Sequence, residues 1–383
     1  MMSRYGKRIW HALLLIITLI VCAWVLLSGW GGYVNPLRWA LPSVAVLTYP
    51  AAIIVAMVLL LVALITRGWK ASIMLAVSLL LTLPALRVNM PLSGGHAPAD
   101  SAATFKLLTY NVTGFWSMHG HEDVSLSMRY ILDSDADLVV LQEASLEPHD
   151  FTDKENVRPM KSEIERKYPY RSSYGYHDLI ILSRYPYEVN DDISLRNYFG
   201  TGETKNTKYY HVYAKAFDVS MPEGRQLRIV NVHMQSIGLN HSDKQVYRNI
   251  THLDSVQSRE QMYQARNSLY TKLARAFRRR AGEAHQIRKV IDTCPENVIV
   301  CGDFNDTPAS YTYWTVRGDD LADAYAQCGR GLTYTFNKDL MLFNIDHIFY
   351  RGKLDAVNIK RVKAGTSDHY PLLATFEWQD KKN

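Results

Sequence analysis

Residues 298–308, VIVCGDFNDTP, begin as an apolar strand and end in polar side chains. The first three residues suit the interior of a sheet, because branched apolar side chains favour strands. Asp303, Asn305 and Asp306 follow them closely. A turn at the end of a strand explains these residues, since Gly, Asp and Asn favour turns. An active site at a strand end explains them as well, and the rest of the sequence has to decide between the two.

Strand and helix signals alternate on both sides of this stretch. Apolar spacing typical of helices occurs over 124–134 and 259–291. Apolar or alternating runs predict further strands, and these lie at 105–112, 137–143, 178–184, 209–219, 225–234, 333–337, 344–351 and 371–378. Many strands with a few helices between them predict an α/β domain built of packed layers.

Charge divides the chain into two unlike parts. Residues 1–99 contain no Asp or Glu and seven Lys or Arg. Residues 100–383 hold 36 of the 43 basic residues and all 37 acidic ones, so the net charge of +6 belongs to the N-terminal part. The larger part is close to neutral, which gives a nucleic-acid-binding surface no special support.

Three uncharged runs, 10–29, 44–66 and 71–86, make the N-terminal part resemble a membrane anchor. About 20 apolar residues span a bilayer, with a lower limit near 17, so the third run is borderline. We therefore expect an anchor of two to three transmembrane helices over 1–90, a linker over 91–103 and a folded domain over 104–383. A cleaved signal peptide is the alternative for the first run, although its apolar stretch is long and a second span follows.

Basic residues in the short loops predict the orientation of this anchor. Three precede the first run and two lie between the second and third runs, and such residues favour the cytoplasmic side; they are Arg4, Lys7, Arg8, Arg67 and Lys70. With three spans, the domain lies on the extracytoplasmic side of a cell inner membrane. If the third run only lies on the membrane, the domain is cytoplasmic.

Acidic, amide and imidazole side chains stand at the ends of the predicted strands. They are Asn111, Glu143, His233, Asp303, Asn305, Asp346, His347, Asp368 and His369. Each alone has an ordinary explanation, such as a turn or a local hydrogen bond. Together, carboxylates and amides without thiolates suit Mg²⁺ or Mn²⁺. The same set, with no evident Ser or Cys nucleophile, suits metal-assisted attack by water.

The chain resembles the endonuclease/exonuclease/phosphatase superfamily, the deoxyribonuclease-like group that includes sphingomyelinases and inositol-polyphosphate phosphatases. The resemblance covers residues 104–378, and its most specific parts are GDFN and SDH. It rests on the strings LTYNV, VVLQE, ILSRYP, VNVHMQS, VCGDFND, NIDHIFY and TSDHYPLLATF. It implies a four-layer sandwich, with two packed mixed sheets flanked by helices, and a phosphoric ester hydrolase that depends on Mg²⁺ or Mn²⁺.

The resemblance also implies metal ligands. Glu143 resembles the principal Mg²⁺ ligand, and Asn111 would lie beside the metal and orient it or a phosphate oxygen. Asp368 would be a further metal contact or a nearby supporting acid. Some nucleases of the group carry an acid two residues after the Asn, where this chain has Thr113. That departure leaves one or two metal ions open.

Catalytic roles follow from the same resemblance. Asp303 resembles the group that orients or deprotonates the attacking water, and Asn305 would hydrogen-bond the phosphate. His369 would contact a phosphate oxygen, held by Asp346, which would raise the pKa of its imidazole. His233 would contact the phosphate or the leaving group.

The substrate stays open between a nucleic acid, a phospholipid or sphingolipid head group and a soluble phosphoester. An endonuclease-like phosphodiesterase is the leading hypothesis, and an inactive membrane-tethered binding module is the non-enzymatic alternative. A lipid substrate predicts an apolar rim near the pocket, from 196–202 or 239–247, whereas a nuclease predicts a basic groove. Apart from membrane lipid around the N-terminal helices, no partner is inferred.

Two further features allow more than one interpretation. Seven basic residues between 272 and 289 form either a surface for anionic lipid or phosphate, or the solvated outer face of a helix, which we favour. A Cys294–Cys328 disulfide is possible if the domain is extracytoplasmic, but sequence alone does not show it.

Overall fold

The computed structural model describes residues 4–100, 102–115, 124–144, 158–172, 178–201, 208–238, 259–338, 341–364 and 367–379. The predicted rim segment 239–247 therefore lies outside the described residues. Within these ranges, helices occupy the first 89 residues and strands begin only at Thr104.

Five helices form the N-terminal bundle. Their bounds are α1 Arg4–Trp30, α2 Leu41–Val46, α3 Tyr49–Ile65, α4 Trp69–Leu81 and α5 Leu83–Asn89. A proline lies in the first turn of α2, α3 and α5, where its missing N–H costs nothing. One helix among the described residues, α1, is long and apolar enough to cross a membrane. The pair α4 and α5 would be a second candidate if its 73° bend lies within one span, and α3 is apolar but shorter.

Most of the exposed large apolar side chains of the described chain lie between residues 5 and 81. Soluble monomers rarely expose so continuous an apolar surface. The bundle's other face is buried against the folded domain. There, side chains of α1 and α3 share one hydrophobic cluster with Phe304, Tyr313 and Val316.

Two six-stranded sheets form the domain. The first has the order β13-β14-β1-β2-β4-β3, and the second has the order β5-β6-β7-β8-β12-β9. A short hairpin, β10 with β11, lies apart from both. The strand bounds are β1 Thr104–Asn111, β2 Leu138–Ala144, β3 Tyr170–Arg171, β4 Asp178–Ser183, β5 Tyr187–Thr201, β6 Lys208–Ser220, β7 Gln226–His233, β8 Val298–Asp303, β9 Ala322–Asp323, β10 Phe336–Lys338, β11 Met341–Phe343, β12 Asp346–Arg351, β13 Leu354–Arg361 and β14 Leu372–Trp378.

Four described helices of the domain cover the outer faces of the two sheets, and a fifth, short helix contributes Ala324 and Cys328 to the cluster between them. They are α6 Val124–Asp133, α7 Arg158–Lys167, α8 Arg259–Asp292, α9 Tyr311–Arg317 and α10 Ala324–Cys328. Helices α6 and α7 pack on the first sheet, and α8 and α9 pack on the second sheet. A third hydrophobic cluster fills the space between the sheets. The predicted four-layer α/β sandwich is therefore confirmed.

The segment after α5 runs along the surface of the domain. Its backbone hydrogen-bonds the domain through Gly94 N to Gly329 O, 3.0 Å, and His96 N to Val357 O, 2.8 Å. The four cysteines are free, so Cys294 and Cys328 are not bridged. The Cys328 thiol instead donates to the carbonyl of Ala356.

Candidate active site

Three neighbouring strands of the second sheet bring catalytic candidates side by side. In the register of the sheet, Asp303 at the end of β8 faces His233 of the parallel strand β7 and Asp346 of the antiparallel strand β12. Gly302 makes this close approach possible, since a Cβ there would lie 2.0 Å from the carbonyl oxygen of Val232. Strand pairing alone therefore assembles this half of the site.

The first sheet supplies the other half from β1 and β2. Asn111 lies at the end of β1, is buried, and faces the second sheet. Its Nδ2 donates to Glu143 Oε1 at 3.1 Å and to Asp303 Oδ2 at 3.0 Å. The side chain of Asn111 thus joins the two sheets at the centre of the site.

Glu143 is turned toward the site by an irregularity in β2. The pairing of β2 with β4 shifts between Leu141 and Ala144, and Glu143 adopts a φ of 51°. A bulge of this kind redirects a side chain at the end of a strand, and non-glycine residues in this region of φ concentrate at functional sites.

Asp303 is the carboxylate that the other groups surround. It is 1% exposed, and Asn305 donates to it through its backbone N at 2.8 Å and its Nδ2 at 3.1 Å. His233 Nε2 lies 3.8 Å and His369 Nε2 lies 3.6 Å from Asp303 Oδ2. Burial raises the pKa of Asp303, His369 opposes the rise and Asp346 adds to it, and the resulting pKa is about 7.

His369 is held between two carboxylates. Its Nδ1 lies 2.9 Å from Asp346 Oδ2, while its Nε2 faces Asp303. Burial alone would lower the pKa of His369, but Asp346 and Asp303 outweigh burial and raise it to about 10. The imidazole is therefore a cation at neutral pH, with Nε2–H directed into the site.

Asp368 lies beside the site with both carboxylate oxygens engaged. Oδ1 accepts from Thr113 Oγ1 at 2.7 Å, and Oδ2 pairs with Lys338 Nζ at 2.9 Å. Burial works to raise the pKa of Asp368, but His369 and these two partners hold it below the usual value. His347 is not part of the site, since its Nε2 bonds the carbonyl of Asp306 and burial lowers its pKa.

These side chains line an open cavity of about 510 Å³. Glu143, His233, Asp303, Asn305, Asp368 and His369 all contribute to its wall, as does Thr113. Asn111 and Asp346 lie directly behind it, each in contact with a lining carboxylate or imidazole. The structure thus brings together all eight residues that the sequence predicts as catalytic or metal-binding.

Comparison with known proteins identifies the domain. The model of the Endonuclease/Exonuclease/phosphatase family matches residues 108–369, which is more than half of the chain. The chain belongs to this family. A second model, a domain of unknown function, matches residues 11–88. A search of curated proteins found no match.

The chain is also similar to solved structures, at low sequence identity. D. rerio TDP2 humanized by 14 mutations is 18% identical, with a TM-score of 0.44 over 71% of this chain and 98% of that one. A family protein of Bacteroides thetaiotaomicron is 17% identical, with a TM-score of 0.43 over 73% and 99%. The human Nocturnin catalytic domain, solved with a bound sulfate, is 16% identical, with a TM-score of 0.43 over 74% and 100%.

Membership of the family supports a hydrolase of phosphoesters, and the site has the composition that a divalent cation requires. Four carboxylates, of Glu143, Asp303, Asp346 and Asp368, face two cations, Lys338 and His369. Glu143 contacts no Lys or Arg among the described residues, and its neighbours are Asn111 and His233. This excess of negative charge beside an open cavity fits a bound Mg²⁺ or Mn²⁺.

A tighter group of possible ligands lies deeper, where Asp303, Asp346 and His369 offer atoms within 4.8 Å of one another. This deeper group is a poorer candidate for holding a cation than Glu143 is. A protonated His369 repels a cation, and its two ring nitrogens already face the two carboxylates.

Sequence reasoning missed two contributions to the site in this family member. Arg280 of α8 is fully buried beneath the loop after β8, and it pairs with Asp306 and donates to the carbonyl of Gln235. Thr307, inside the opening stretch, lines the cavity with an Oγ1 that is buried and has no hydrogen-bond partner among the described residues. Helical spacing places position 280 on the apolar face of α8. A charged residue at such a position is expected to be buried, and this is the sequence signal that could have identified Arg280.

The row of basic residues on α8 is not a single basic surface. Arg280 is buried, and Arg288 pairs with Asp292 and Asp320. The remaining members lie on the solvated side of the helix, where Arg275, Arg278 and Arg279 are exposed.

Proposed function

We propose that this chain is a membrane-anchored phosphodiesterase that depends on Mg²⁺ or Mn²⁺ and uses water as the nucleophile. One observation carries the proposal. The buried carboxylate of Asp303 lies within hydrogen-bonding or ion-pairing distance of Asn111, Asn305, His233 and His369, and Glu143 stands beside this group. A binding module needs no such concentration of buried, mutually opposed charges, since burying them is costly.

Glu143 and the amide of Asn111 would hold the cation in this proposal. Bound there, it would polarise a phosphate oxygen and offset the charge that develops during hydrolysis. Asp368 already shares its oxygens with Thr113 and Lys338. We therefore assign Asp368 to positioning His369 and Thr113, with direct metal contact as the alternative.

Asp303 and His369 have different roles in the reaction, the first as a base and the second as a hydrogen-bond donor. Asp303, with a pKa of about 7, is suited to accept a proton from water near neutral pH. His369, kept protonated by Asp346, donates from Nε2 to a phosphate oxygen and stabilises charge in the transition state. Asn305, and His233 at the rim, add hydrogen bonds to the phosphate or the leaving oxygen.

The reaction balances without a further reactant. The oxygen of water joins phosphorus as one ester bond breaks. One proton of water stays on the attacking oxygen and ends on the phosphomonoester. Asp303 accepts the other proton, and its return from Asp303 balances the proton that the leaving alcohol takes up. We assign the domain over 104–383 to this chemistry.

The N-terminal bundle anchors the enzyme in a membrane. The apolar length of α1 and the exposed apolar surface of the bundle support this proposal. The basic residues before α1 and between α3 and α4 favour a cytoplasmic N-terminus. Three crossings of the cell inner membrane would then place the domain on its extracytoplasmic side. Residues 1–90 are then the anchor and 91–103 the connection.

The test uses the full chain in detergent with bis(p-nitrophenyl) phosphate, with added Mg²⁺ or Mn²⁺ and with EDTA. We expect turnover that EDTA abolishes and that Asp303→Asn lowers about 10²- to 10⁴-fold, the range of a general base. Asp133→Asn is the matched control, because Asp133 is exposed and distant from the site. Turnover that survives EDTA or Asp303→Asn would exclude the mechanism.

Glu143→Gln tests the assignment of the metal. We expect its activity to need a higher concentration of Mg²⁺, since a neutral amide binds a hard cation more weakly than a carboxylate does. A metal titration identical to that of the unchanged protein would remove Glu143 from the ligands.

A further inference from the structure

The lining of the cavity is of two kinds, which we call the polar wall and the apolar wall. The polar wall carries the catalytic and metal-binding candidates. The apolar wall consists of Leu47, Ile237, Phe336, Met341, Phe343 and Ile345, and it adjoins the polar wall where Phe336 packs against His369 with ring centroids 5.2 Å apart. A rim of this kind was expected for a lipid substrate from residues 196–202 or 239–247, but these six come from the N-terminal bundle, the segment after β7 and the β10–β11 hairpin.

Leu47 belongs to the bundle, in the turn between α2 and α3. The turn is fixed by Trp24 Nε1, which donates to Thr48 Oγ1 at 2.8 Å. The bundle in turn is docked on the domain at several points. Tyr33 stacks on Trp314 with ring centroids 5.4 Å apart, and Arg278 Nε donates to the carbonyl of Pro36 at 3.3 Å.

The same end of the bundle has the features of a membrane–water boundary. α1 ends at Trp30, and α3 begins at Tyr49, so the chain between them lies at one end of both helices. This connection exposes Trp30, Tyr33, Leu37 and Trp39. Exposed Trp and Tyr are typical of the level at which a transmembrane helix leaves the bilayer, and Leu47 of the same connection lines the cavity.

The described part of the cavity offers little positive charge to a nucleic-acid backbone. Lys338 is the only Lys or Arg among the described residues that line it, and its Nζ is paired with Asp368 at 2.9 Å. Proteins that bind single strands use a basic groove along the backbone together with aromatic stacking. A ligand with one phosphodiester and an apolar tail matches both walls better.

We propose that the substrate is a lipid phosphodiester taken from the bilayer that holds the bundle. Its phosphate lies against Glu143 and Asp303, and the first carbons of its apolar part lie against Leu47 and the β10–β11 hairpin. This inference rests on the proposed function and names the substrate class of the same site.

The test separates the apolar tail from the head group. The probes are p-nitrophenyl phosphodiesters whose second ester is methyl, hexyl or dodecyl, used below their micellar concentrations with the full chain in detergent. We expect kcat/KM to rise at least tenfold from methyl to dodecyl, because several CH₂ groups leave water for the apolar wall. A single-stranded oligonucleotide is the competing substrate.

Leu47→Gln identifies the wall responsible. We expect this variant to lose most of the gain from chain length, so that its kcat/KM falls at least fivefold more for the dodecyl ester than for the methyl ester. Leu37→Gln is the matched control, because Leu37 is exposed at the same end of the bundle and does not line the cavity. It should keep the full dependence on chain length.

Each other outcome has one meaning. Equal kcat/KM for the three esters, or a clear preference for the oligonucleotide, overturns the lipid inference and leaves the phosphodiesterase standing. Equal losses on the methyl and dodecyl esters in Leu47→Gln also overturn it, because Leu47 then acts only on the structure. No release of p-nitrophenol from any ester overturns the proposed function itself.

Discussion

Gly302 determines how closely β7 and β8 approach at the site. Its φ is 136°, a region that side chains with a Cβ rarely adopt, and the carbonyl of Val232 occupies the space where a Cβ would stand. The residue lies directly before Asp303 and opposite His347 in the register. A small change here moves the strand that carries the central carboxylate.

We expect Gly302→Ala to lower the free energy of unfolding by about 2–4 kcal/mol, through backbone strain and overpacking. The activity per folded molecule should also fall, because the strand that carries Asp303 is displaced. Gly224→Ala is the control, since Gly224 also has a positive φ but open space around it. Chemical denaturation and activity per folded molecule measure both effects, and equal behaviour of the two variants would contradict the argument.

For individual residues, the sequence predicted the strand ends correctly, because a buried strand ends where apolar residues give way to polar ones. It did not show which partners meet across the fold. Thr113 donates to Asp368 although 255 residues separate them, and Lys338 completes that group. Such contacts depend on the packing of two sheets, which local spacing does not encode.

Helix α8 supports the loop after β8 from below. Arg280 reaches Asp306 with its Nε at 3.2 Å, and Thr312 Oγ1 donates to the same carboxylate at 2.7 Å. The pair is fully enclosed, with side chains 0% and 2% exposed. A buried pair of this kind fixes the position of the loop that carries Asn305 and Thr307.

Arg280→Met should therefore destabilise the protein by about 3–5 kcal/mol, because it leaves the Asp306 carboxylate buried without its cation. Arg279→Met, one position away on the exposed side of α8, should change stability by less than about 0.5 kcal/mol. Thermal unfolding of the two variants in the same detergent makes the comparison. Similar shifts in both would show that burial of Arg280 is not what matters.

The β6–β7 hairpin carries an ion pair that makes stability depend on pH. Arg228 donates to Asp218 from Nε at 2.6 Å and from Nη2 at 2.8 Å. Burial works to raise the pKa of Asp218, but Arg228 and Asn190 outweigh it and hold the pKa below the usual value. The stabilisation is therefore complete above the pKa of the unfolded state, about 3.9, and is lost as pH falls through the folded pKa.

Asp218→Asn should lower the unfolding temperature at pH 7, and its difference from the unchanged protein should shrink toward zero as pH falls below about 4. Asp133→Asn serves as the reference, since Asp133 is exposed. A difference that stays constant between pH 7 and pH 3 would mean that the ion pair contributes nothing through charge.

Elements were predicted more accurately than their surroundings. The predicted helix over 259–291 and the strand over 178–184 match α8 and β4 within a residue, since long periodic or apolar runs are the strongest local signals. The rim segments expected from sequence, 196–202 and 239–247, lie almost entirely outside the described side chains and stay a prediction. The β10–β11 hairpin that forms much of the apolar wall has strands of only three residues, too short for periodicity to detect.

The whole molecule joins the bundle and the domain through close packing. A Cβ at Gly32 would lie 1.8 Å from the carbonyl oxygen of Ala309, so the turn after α1 contacts the backbone of the domain directly. Ala85 and Val88 of α5 belong to the same hydrophobic cluster as Tyr313. Hydropathy could not predict this docking, because the hydropathy of an apolar side chain does not depend on whether lipid or protein covers it.

Removal of residues 1–90 should therefore expose apolar surface on the domain. We expect residues 91–383 to unfold at a lower temperature than the full chain in the same detergent, and to aggregate when detergent is removed. Within the full chain, the domain should unfold in a single thermal transition. An equally stable and soluble 91–383 fragment would show that the bundle and the domain fold independently.

The position of β14 has a consequence for biosynthesis. It pairs with β1 and with β13 in the same sheet, although most of the domain lies between β1 and β14 in sequence. During translation β1 lacks its antiparallel neighbour until β14 has left the ribosome, whereas the anchor is synthesised before either strand. Pairing between strands that are distant in sequence is slow to form, and incomplete sheets are prone to aggregate. A premature stop codon anywhere before residue 372 would thus yield an anchored chain whose first sheet cannot close.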